Sequence, residues 1–388
     1  MSDVELKRPL TEGQKRLLQA MPEIADSRFP EVHATVPASN YVDPARFDRE
    51  IKAVFHAVPV IAAPSSALPE PNSYCARDVA GMPMLISRTK EGKIKIFANV
   101  CRHRGAKLCN TREATKGSRV VCPYHAWTYA LDGRLIGLPR HETFPGLEKE
   151  DLGLIELPSA EAGGLIWVGL DHRNPADFSV THELGRDFDA MGLGDMHIYD
   201  SATFKVQANW KLIMDSMLDS YHVTRLHKDS LARFFVDTEN IIDRVGPHIR
   251  VAAARGNFER RFISDDFEQI RKYVVFAYIP FPNGIVVVSP HFVSLGIVRP
   301  LACDRTEVDY YMLVNERPAN ADIEDKMRRS FQLMEQAFGR EDYWAAEQCD
   351  AGLRSGLLPE VHLGGMEVQI TMFQNEVTKC LERMYGKQ

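Results

Sequence analysis

Two short stretches place thiols and imidazoles at related spacings: CRHRGAKLC, residues 101–109, and CPYHAW, residues 122–127. They read Cys101-x-His103, eighteen intervening residues, then Cys122-x-x-His125. Zinc accepts two cysteines and two histidines and is the plain alternative. Zinc fingers, however, present Cys with Cys on one knuckle and His with His on a helix, because four ligands must converge on one ion. Here each loop supplies one thiolate and one imidazole. That set suits a flat pair of bridged irons held between two loops, both cysteines on one iron and both histidines on the other. Neutral imidazoles make such a cluster less negative, so its potential lies at roughly −150 to +300 mV against about −400 mV for plant-type ferredoxins. Its chemistry would be to accept electrons and pass them onward. Cys109 reads as a buried thiol outside this set, since four ligands are already present.

A second group lies in NWKLIMDSMLDSYHVTRLH, residues 209–227. Asp219 and His222 are three apart and share a helix face, whereas His222 and His227 are five apart, roughly 140° round an ideal helix. For both imidazoles to reach one ion, the helix must end or widen between them. Two histidines and a carboxylate on one face of ferrous iron leave positions open for O2 beside a substrate. The carboxylate must come from elsewhere, and Glu341, Asp342, Glu347 and Asp350 in REDYWAAEQCDAGLRSG are candidates. Core histidines and a solvated acidic helix end are the plain alternatives.

CRHRGA and CPYHAWTYALDG resemble the two cluster-binding loops of the Rieske non-heme iron ring-hydroxylating oxygenases, and the 209–227 stretch resembles that family's mononuclear-iron motif. The resemblance runs from about residue 36 to the end of the chain. It implies a catalytic α subunit with a [2Fe-2S] cluster on Cys101, His103, Cys122 and His125, and a mononuclear Fe(II) on His222 and His227. It further implies that Asp219 is no ligand but hydrogen-bonds His222 and reaches towards the cluster histidine of a neighbouring subunit. The family's late segment runs Glu-Asp, about eight residues, a Gln, then Gly-Leu. Glu341, Asp342, Gly352 and Leu353 match, which nominates Asp342 as third ligand, although Asp350 stands where the Gln is expected. Polar groups near the iron are implied at Asn209 and Asp215. A further departure is FHAVPVIAA, residues 55–63, which lacks a tryptophan often found there.

The implied activity is that of a terminal oxygenase component: hydroxylation or dihydroxylation of a small, aromatic substrate, with N- or O-demethylation as the alternative. Electrons would come ultimately from NAD(P)H through a separate reductase, directly or through a ferredoxin, since no G-x-G-x-x-G opens a helix here. A head-to-tail homotrimer is expected. A Rieske electron-transfer protein with a non-catalytic C-terminal binding module is the reading from another class.

The elements that would position these groups fall into three parts. Residues 1–35 form an arm with one short helical pattern, Leu17, Leu18 and Met21. Residues 36–170 are strand-like, with MLISRTKEGKIKIFANV reading as a hairpin and Gly105, Pro123 and Gly133 as turn residues; this predicts a small antiparallel β domain. Tyr124 and Trp127 are expected to pack the cluster loops. Residues 171–388 predict a larger α+β domain, its antiparallel sheet covered by helices. A helix is expected around 209–220, where Met214, Met217 and Leu218 could line a cavity and Arg225 faces solvent. Another spans 322–339, where Ile323, Met327, Phe331, Met334 and Phe338 share a face, Asp322 caps the start and Gly339 ends it.

Composition agrees with an ordinary globular protein of 388 residues, with 45% apolar and 26% charged residues. A net charge of −6 argues against a nucleic-acid surface, which needs clustered cations. No run of apolar residues reaches membrane-spanning length and the N-terminus lacks a secretory apolar core, so a cytoplasmic setting without membrane partners is expected. Seven scattered cysteines fit reduced thiols or metal ligands rather than a disulfide framework.

Overall fold

A computed structural model describes residues 8–174 and 176–387. It is α+β throughout, with every paired strand antiparallel. In the first half, a five-stranded sheet runs in the order Glu156–Leu157, Ile94–Ala98, Met82–Arg88, Ser73–Val79 and Thr115–Lys116. The expected hairpin is its centre: Met84 to Arg88 pair with Ala98 to Ile94, and Gly92 supplies the left-handed turn residue at φ 80°. A three-stranded sheet of Arg119–Val121, Thr128–Ala130 and Leu135–Gly137 carries the second Cys/His loop.

The second half is built on a seven-stranded sheet, in the order His197–Val206, Arg305–Val314, Val293–Ala302, Gly284–Val288, Val274–Ile279, His248–Ala254 and Ile241–Val245. Its inner strands are buried almost without interruption, because helices and the first-half domain cover them. The helical pattern expected in the arm is present. The helix Glu12–Ala20 opens with a capping box of Thr11 and Gln14, and Leu17, Leu18 and Met21 are buried in the core of the large sheet. Residues 1–7 of the arm lie outside the described residues.

Three local expectations are corrected. Residues 39–55 are helical rather than strand-like, as Ser39–Val42, Pro44–Glu50 and the π-type turn Ile51–Phe55. Asp43 accepts a hydrogen bond from Ala45 N and Pro44 occupies the first helical position, a start signal hidden inside strand-rich text. Phe55 then packs edge-on against Trp210, which in turn meets Phe373 of the C-terminal helix Val368–Tyr385.

The late helix begins at Ala321 and is capped by Asn320, whose side chain accepts from Ile323 N, while Asp322 lies in the first turn. Nor does it stop at Gly339. The chain continues through a π-type segment, Glu335–Asp342, directly into the helix Tyr343–Arg354. Gly339 serves close approach instead, since a Cβ there would fall 2.4 Å from the Phe204 ring. Finally, the helix expected over 209–220 covers Trp210–Leu218, and Asp219 beyond it has an extended backbone.

Candidate metal centres

The two Cys/His loops are closed by the same pair of backbone bonds. Cys101 N donates to Ala106 O at 2.8 Å and Gly105 N to Cys101 O at 2.9 Å; Cys122 N donates to Trp127 O at 2.8 Å and Ala126 N to Cys122 O at 3.0 Å. The fourth residue after each cysteine's start of the turn has positive φ, 79° at Gly105 and 59° at Ala126. Glycine announces the first of these turns, but nothing in the alanine announces the second. Both cysteines are buried, whereas His103 is half-buried and His125 exposed. Their rings stand 4.6 Å apart at 69°.

Trp127 packs as expected, stacked on His103 at 4.9 Å. Tyr124 does not: it is exposed and lies over His125 on the outside, with Arg104 above it. Cys109 is apart from this set, its Sγ facing Thr111 O and its backbone tied to the Asn99 side chain. Tyr129, unremarked in the sequence, has its hydroxyl 3.0 Å from Arg102 N and 3.4 Å from Cys101 Sγ. Burial, then the neighbouring His125 and Arg104, lower the pKa of His103, favouring the neutral imidazole that a metal requires. Two buried thiols below two outward imidazoles fit a two-iron cluster with cysteine and histidine ends.

The second group is assembled from three places in the chain. His222 and His227 flank a single helical turn, Val223–Leu226, which ends before His227, so the helix does stop between the two histidines as their spacing demands. Asp219 meets His222 across the non-helical link 219–222 and not along a helix face: its Oδ2 is 3.1 Å from Nδ1 while its Oδ1 accepts from Tyr221 N. The Nε2 atoms of His222 and His227 each stand 3.2 Å from Asp342 Oδ1. That oxygen is buried without an aligned hydrogen-bond partner. Three donor atoms within 4.8 Å of one another, one an orphaned carboxylate oxygen, fit a single ferrous ion.

Glu341, next to Asp342, takes the opposite side of the second histidine. Its Oε2 is 2.6 Å from His227 Nδ1 and accepts from Ser230 Oγ, while Gln336 holds Oε1 at 3.0 Å. Without an ion, burial disfavours protonation of His222, but Asp219 and Asp342 outweigh it and raise its pKa to about 10. His227 is raised in the same way, burial being overcome by Asp342 and Glu341.

The remaining acids and amides have other partners. Asn209 caps the 210–218 helix through Lys211 N and donates to Cys303 O. Asp350 accepts from Asn209 N and pairs with Arg354, and Glu347 accepts from Gln207 N. Asp215 accepts from Tyr41 Oη at 2.6 Å and lines a crevice with Asp219, His222 and Asp342. Burial lifts its pKa to about 7 against the pull of Tyr41 and Lys211. Arg225 faces outward, over Tyr221 and paired with Asp237.

His222, His227 and Asp342 open onto a cavity of about 160 Å³. Met217 and Leu218 line it as expected, whereas Met214 is core. The facing wall is the large sheet, and Leu231, Phe235 and Val236 close one side. Among the described residues no helix is long and apolar enough to cross a membrane.

Comparison with known proteins places this geometry. The family described as "Rieske [2Fe-2S] domain" matches residues 58–152, and "Ring hydroxylating alpha subunit (catalytic domain)" matches residues 193–383. Choline monooxygenase of Spinacia oleracea is 28% identical over 319 residues, covering 78% of this chain and 69% of that protein. The choline monooxygenase of Beta vulgaris is 30% identical, covering 73% and 64%. For the glycine betaine monooxygenase oxygenase subunit of Pseudomonas aeruginosa the identity is 30%, covering 54% and 48%. The alignments thus span between about half and about two-thirds of these relatives' lengths.

Among solved structures, the quaternary ammonium Rieske monooxygenase CntA superposes with a TM-score of 0.78 at 21% identity, covering 93% of this chain and 98% of that one. Naphthalene 1,2-dioxygenase from Rhodococcus sp. does so at 0.74 and 20% identity, covering 96% and 99%. At such identities these structures speak for the fold. With the two domain matches in this order, the chain belongs to the Rieske non-heme iron oxygenases, as a catalytic α subunit.

Proposed function

We propose that this chain is a terminal oxygenase component that inserts oxygen from O2 into a small, largely apolar substrate. The observation that carries this reading is the convergence of His222 Nε2, His227 Nε2 and Asp342 Oδ1 on one point at the wall of an apolar cavity. In this reading Cys101, His103, Cys122 and His125 hold a [2Fe-2S] cluster, and His222, His227 and Asp342 hold Fe(II). Iron in these two settings supplies single-electron transfer and O2 activation, which no side chain offers alone.

The chain's own residues prepare that chemistry. Asp219 and Glu341 accept the Nδ1 protons of His222 and His227, which leaves each Nε2 lone pair facing the ion and makes it a stronger donor. The aliphatic wall keeps water from the reacting carbon. Asp219 is 19% exposed, and we assign it the route between centres. It would face the outward cluster histidines of a second copy, with three copies closing a head-to-tail ring. A solved quaternary ammonium monooxygenase described as revealing inter-subunit electron transfer supports that arrangement. Electrons reach the cluster from NAD(P)H through a reductase, directly or by way of a ferredoxin, in a cytoplasmic setting. The reading divides the chain into an arm to residue 35, a cluster domain over 36–170 and a catalytic domain beyond, with the 39–55 helices packed on the catalytic helices.

Monooxygenation is the outcome that the sequence relatives support, since those named act on choline or glycine betaine. Demethylation is one form of it, in which the hydroxylated carbon is a methyl group on nitrogen or oxygen. The cavity favours a second reading, hydroxylation or dihydroxylation of an aromatic substrate. Its aromatic lining residues are Phe235 and Phe338, whereas a trimethylammonium group is best held in a cage of Trp and Tyr faces. Oxygen uptake with an added reductase, across arenes, aromatic acids and methylated amines, separates these readings when formaldehyde is assayed alongside. Reduction of the cluster with no oxygen consumed on any class would favour an electron-transfer protein instead.

A further inference from the structure

The cavity wall is laid down in rows. Val251 pairs with Ala277 and Ala253 with Val275 across two adjacent strands of the large sheet, and all four line the cavity. Side chains on one face of a strand recur every second residue, so the next row is Arg255 with Tyr273, roughly 7 Å farther along. Arg255 N donates to Tyr273 O at 2.9 Å, which extends the pairing to that row. On its other side Arg255 bridges to Phe235, itself a cavity residue, and its guanidinium lies 5.7 Å from the centroid of that ring.

Arg255 is 9% exposed, and its Nε has no hydrogen-bond partner. Other buried arginines have hydrogen-bonded or ionic partners: Arg250 pairs with Asp187 and Asp243, Arg299 with Asp309 and Glu307, and Arg77 donates to Ala76 O and Arg112 O. The charged neighbour of Arg255 is instead another cation, Arg271, whose own donors are taken by Glu268, Ser289 O and Phe292 O. Burial, then Arg271, lower the Arg255 pKa to about 10, which still leaves it charged at neutral pH. The same positive field, added to burial, holds His291 down. A guanidinium withdrawn from water without a counter-charge is costly, and Arg does not relieve that cost by deprotonating. An acid brought from outside would.

We propose that Arg255 forms an anion subsite at the edge of the cavity, and that the substrate joins a small apolar body to a carboxylate. The inference deepens the oxygenase reading of this site and rests on it. The carboxylate would take a bidentate contact from the guanidinium with the Phe235 ring turned aside, while the apolar body lies along Val251, Ala253 and Val275. Fixing one end sets the register of the whole molecule in the cavity.

Benzoate and benzamide match in shape and differ in charge. Their binding to the iron-loaded protein, kept oxidised so that no turnover occurs, can be measured by calorimetry. Benzoate should bind more tightly by on the order of tenfold. Arg255→Gln should remove that preference by weakening benzoate alone, and Arg255→Lys should keep part of it. Equal affinities in the unaltered protein, no benzoate binding at millimolar concentration, or a preference that survives Arg255→Gln would each overturn the proposal. The unaltered protein decides the matter even where a variant does not fold. Binding without turnover also separates this test from the oxygenase reading, which oxygen uptake addresses.

Discussion

Glu341 and Asp342 are neighbours in the chain, yet they approach His227 from opposite sides of its ring. Asp342 Oδ1 stands 3.2 Å from Nε2, and Glu341 Oε2 stands 2.6 Å from Nδ1. A π-type segment, Glu335–Asp342, delivers both, and such irregular turns within helices are frequent at functional sites. One acid is placed to hold an ion and the other to orient a ligand to it. Replacing the orienting group should therefore weaken metal binding without abolishing it. Glu341→Gln is expected to lower iron affinity by about 10–100-fold, read as iron retained after graded chelation. Retention equal to the unaltered protein would remove Glu341 from the site.

The assignment of the third ligand separates two buried aspartates. Asp342→Ala should lose the mononuclear iron while the cluster's colour stays. Asp350→Ala should keep that iron and lose stability, because it leaves Arg354 unpaired and takes the partner of Asn209 N. The cost should be about 3–5 kcal/mol, less any relief from the partial exposure of Arg354, measured by denaturant unfolding. Iron lost from Asp350→Ala but kept by Asp342→Ala would reverse the assignment.

The proposed route between centres runs through Asp219 and His222, whose side chains touch. Asp219→Asn keeps the shape and a hydrogen bond but removes the charge. Both iron centres should load, and substrate-dependent oxygen consumption should collapse by orders of magnitude. Near-normal turnover would leave Asp219 only a structural part.

What could be read in the sequence was whatever local chemistry determines. The Cys/His spacings, the hairpin at Gly92 and the need for a break before the second histidine follow from single stretches, and the structure brings those residues together. The cap at Asn320 and the helices over 39–55 are hidden in the sequence by stronger-looking signals, Asp322 and the surrounding strand text, that stand beside them. Glu341 is legible as one of four late acids and as half of the Glu-Asp match, but not as the partner of His227, since contact across 114 positions depends on how the 335–342 segment coils. Asn209 was drawn towards the iron by motif position, but its side chain is spent on capping a helix. Tyr129 gave no signal beyond its place on the strand after the second loop.

A pH effect follows from His248, which is buried and accepts a hydrogen bond from Phe281 N at its Nδ1. Burial lowers its pKa from 6.5 to about 4. The unfolded chain therefore binds the proton first as pH falls. The stabilisation of the neutral ring is complete above about pH 6.5 and is lost progressively down to about pH 4, a change of ~3 kcal/mol. Denaturant midpoints taken across that window should fall less steeply for His248→Asn, whose side-chain oxygen can still accept from Phe281 N. Identical slopes would show that His248 does not titrate as described.

In the proposed reading one chain holds a two-iron cluster and, separately, a single iron. Iron and acid-labile sulfide should be counted in protein purified without oxygen, for the unaltered chain and for His222→Ala. The first should contain about three irons and two sulfides per chain, and the second about two of each, with the visible spectrum of the cluster unchanged. Equal iron in both proteins, or zinc in place of iron in either centre, would contradict that reading.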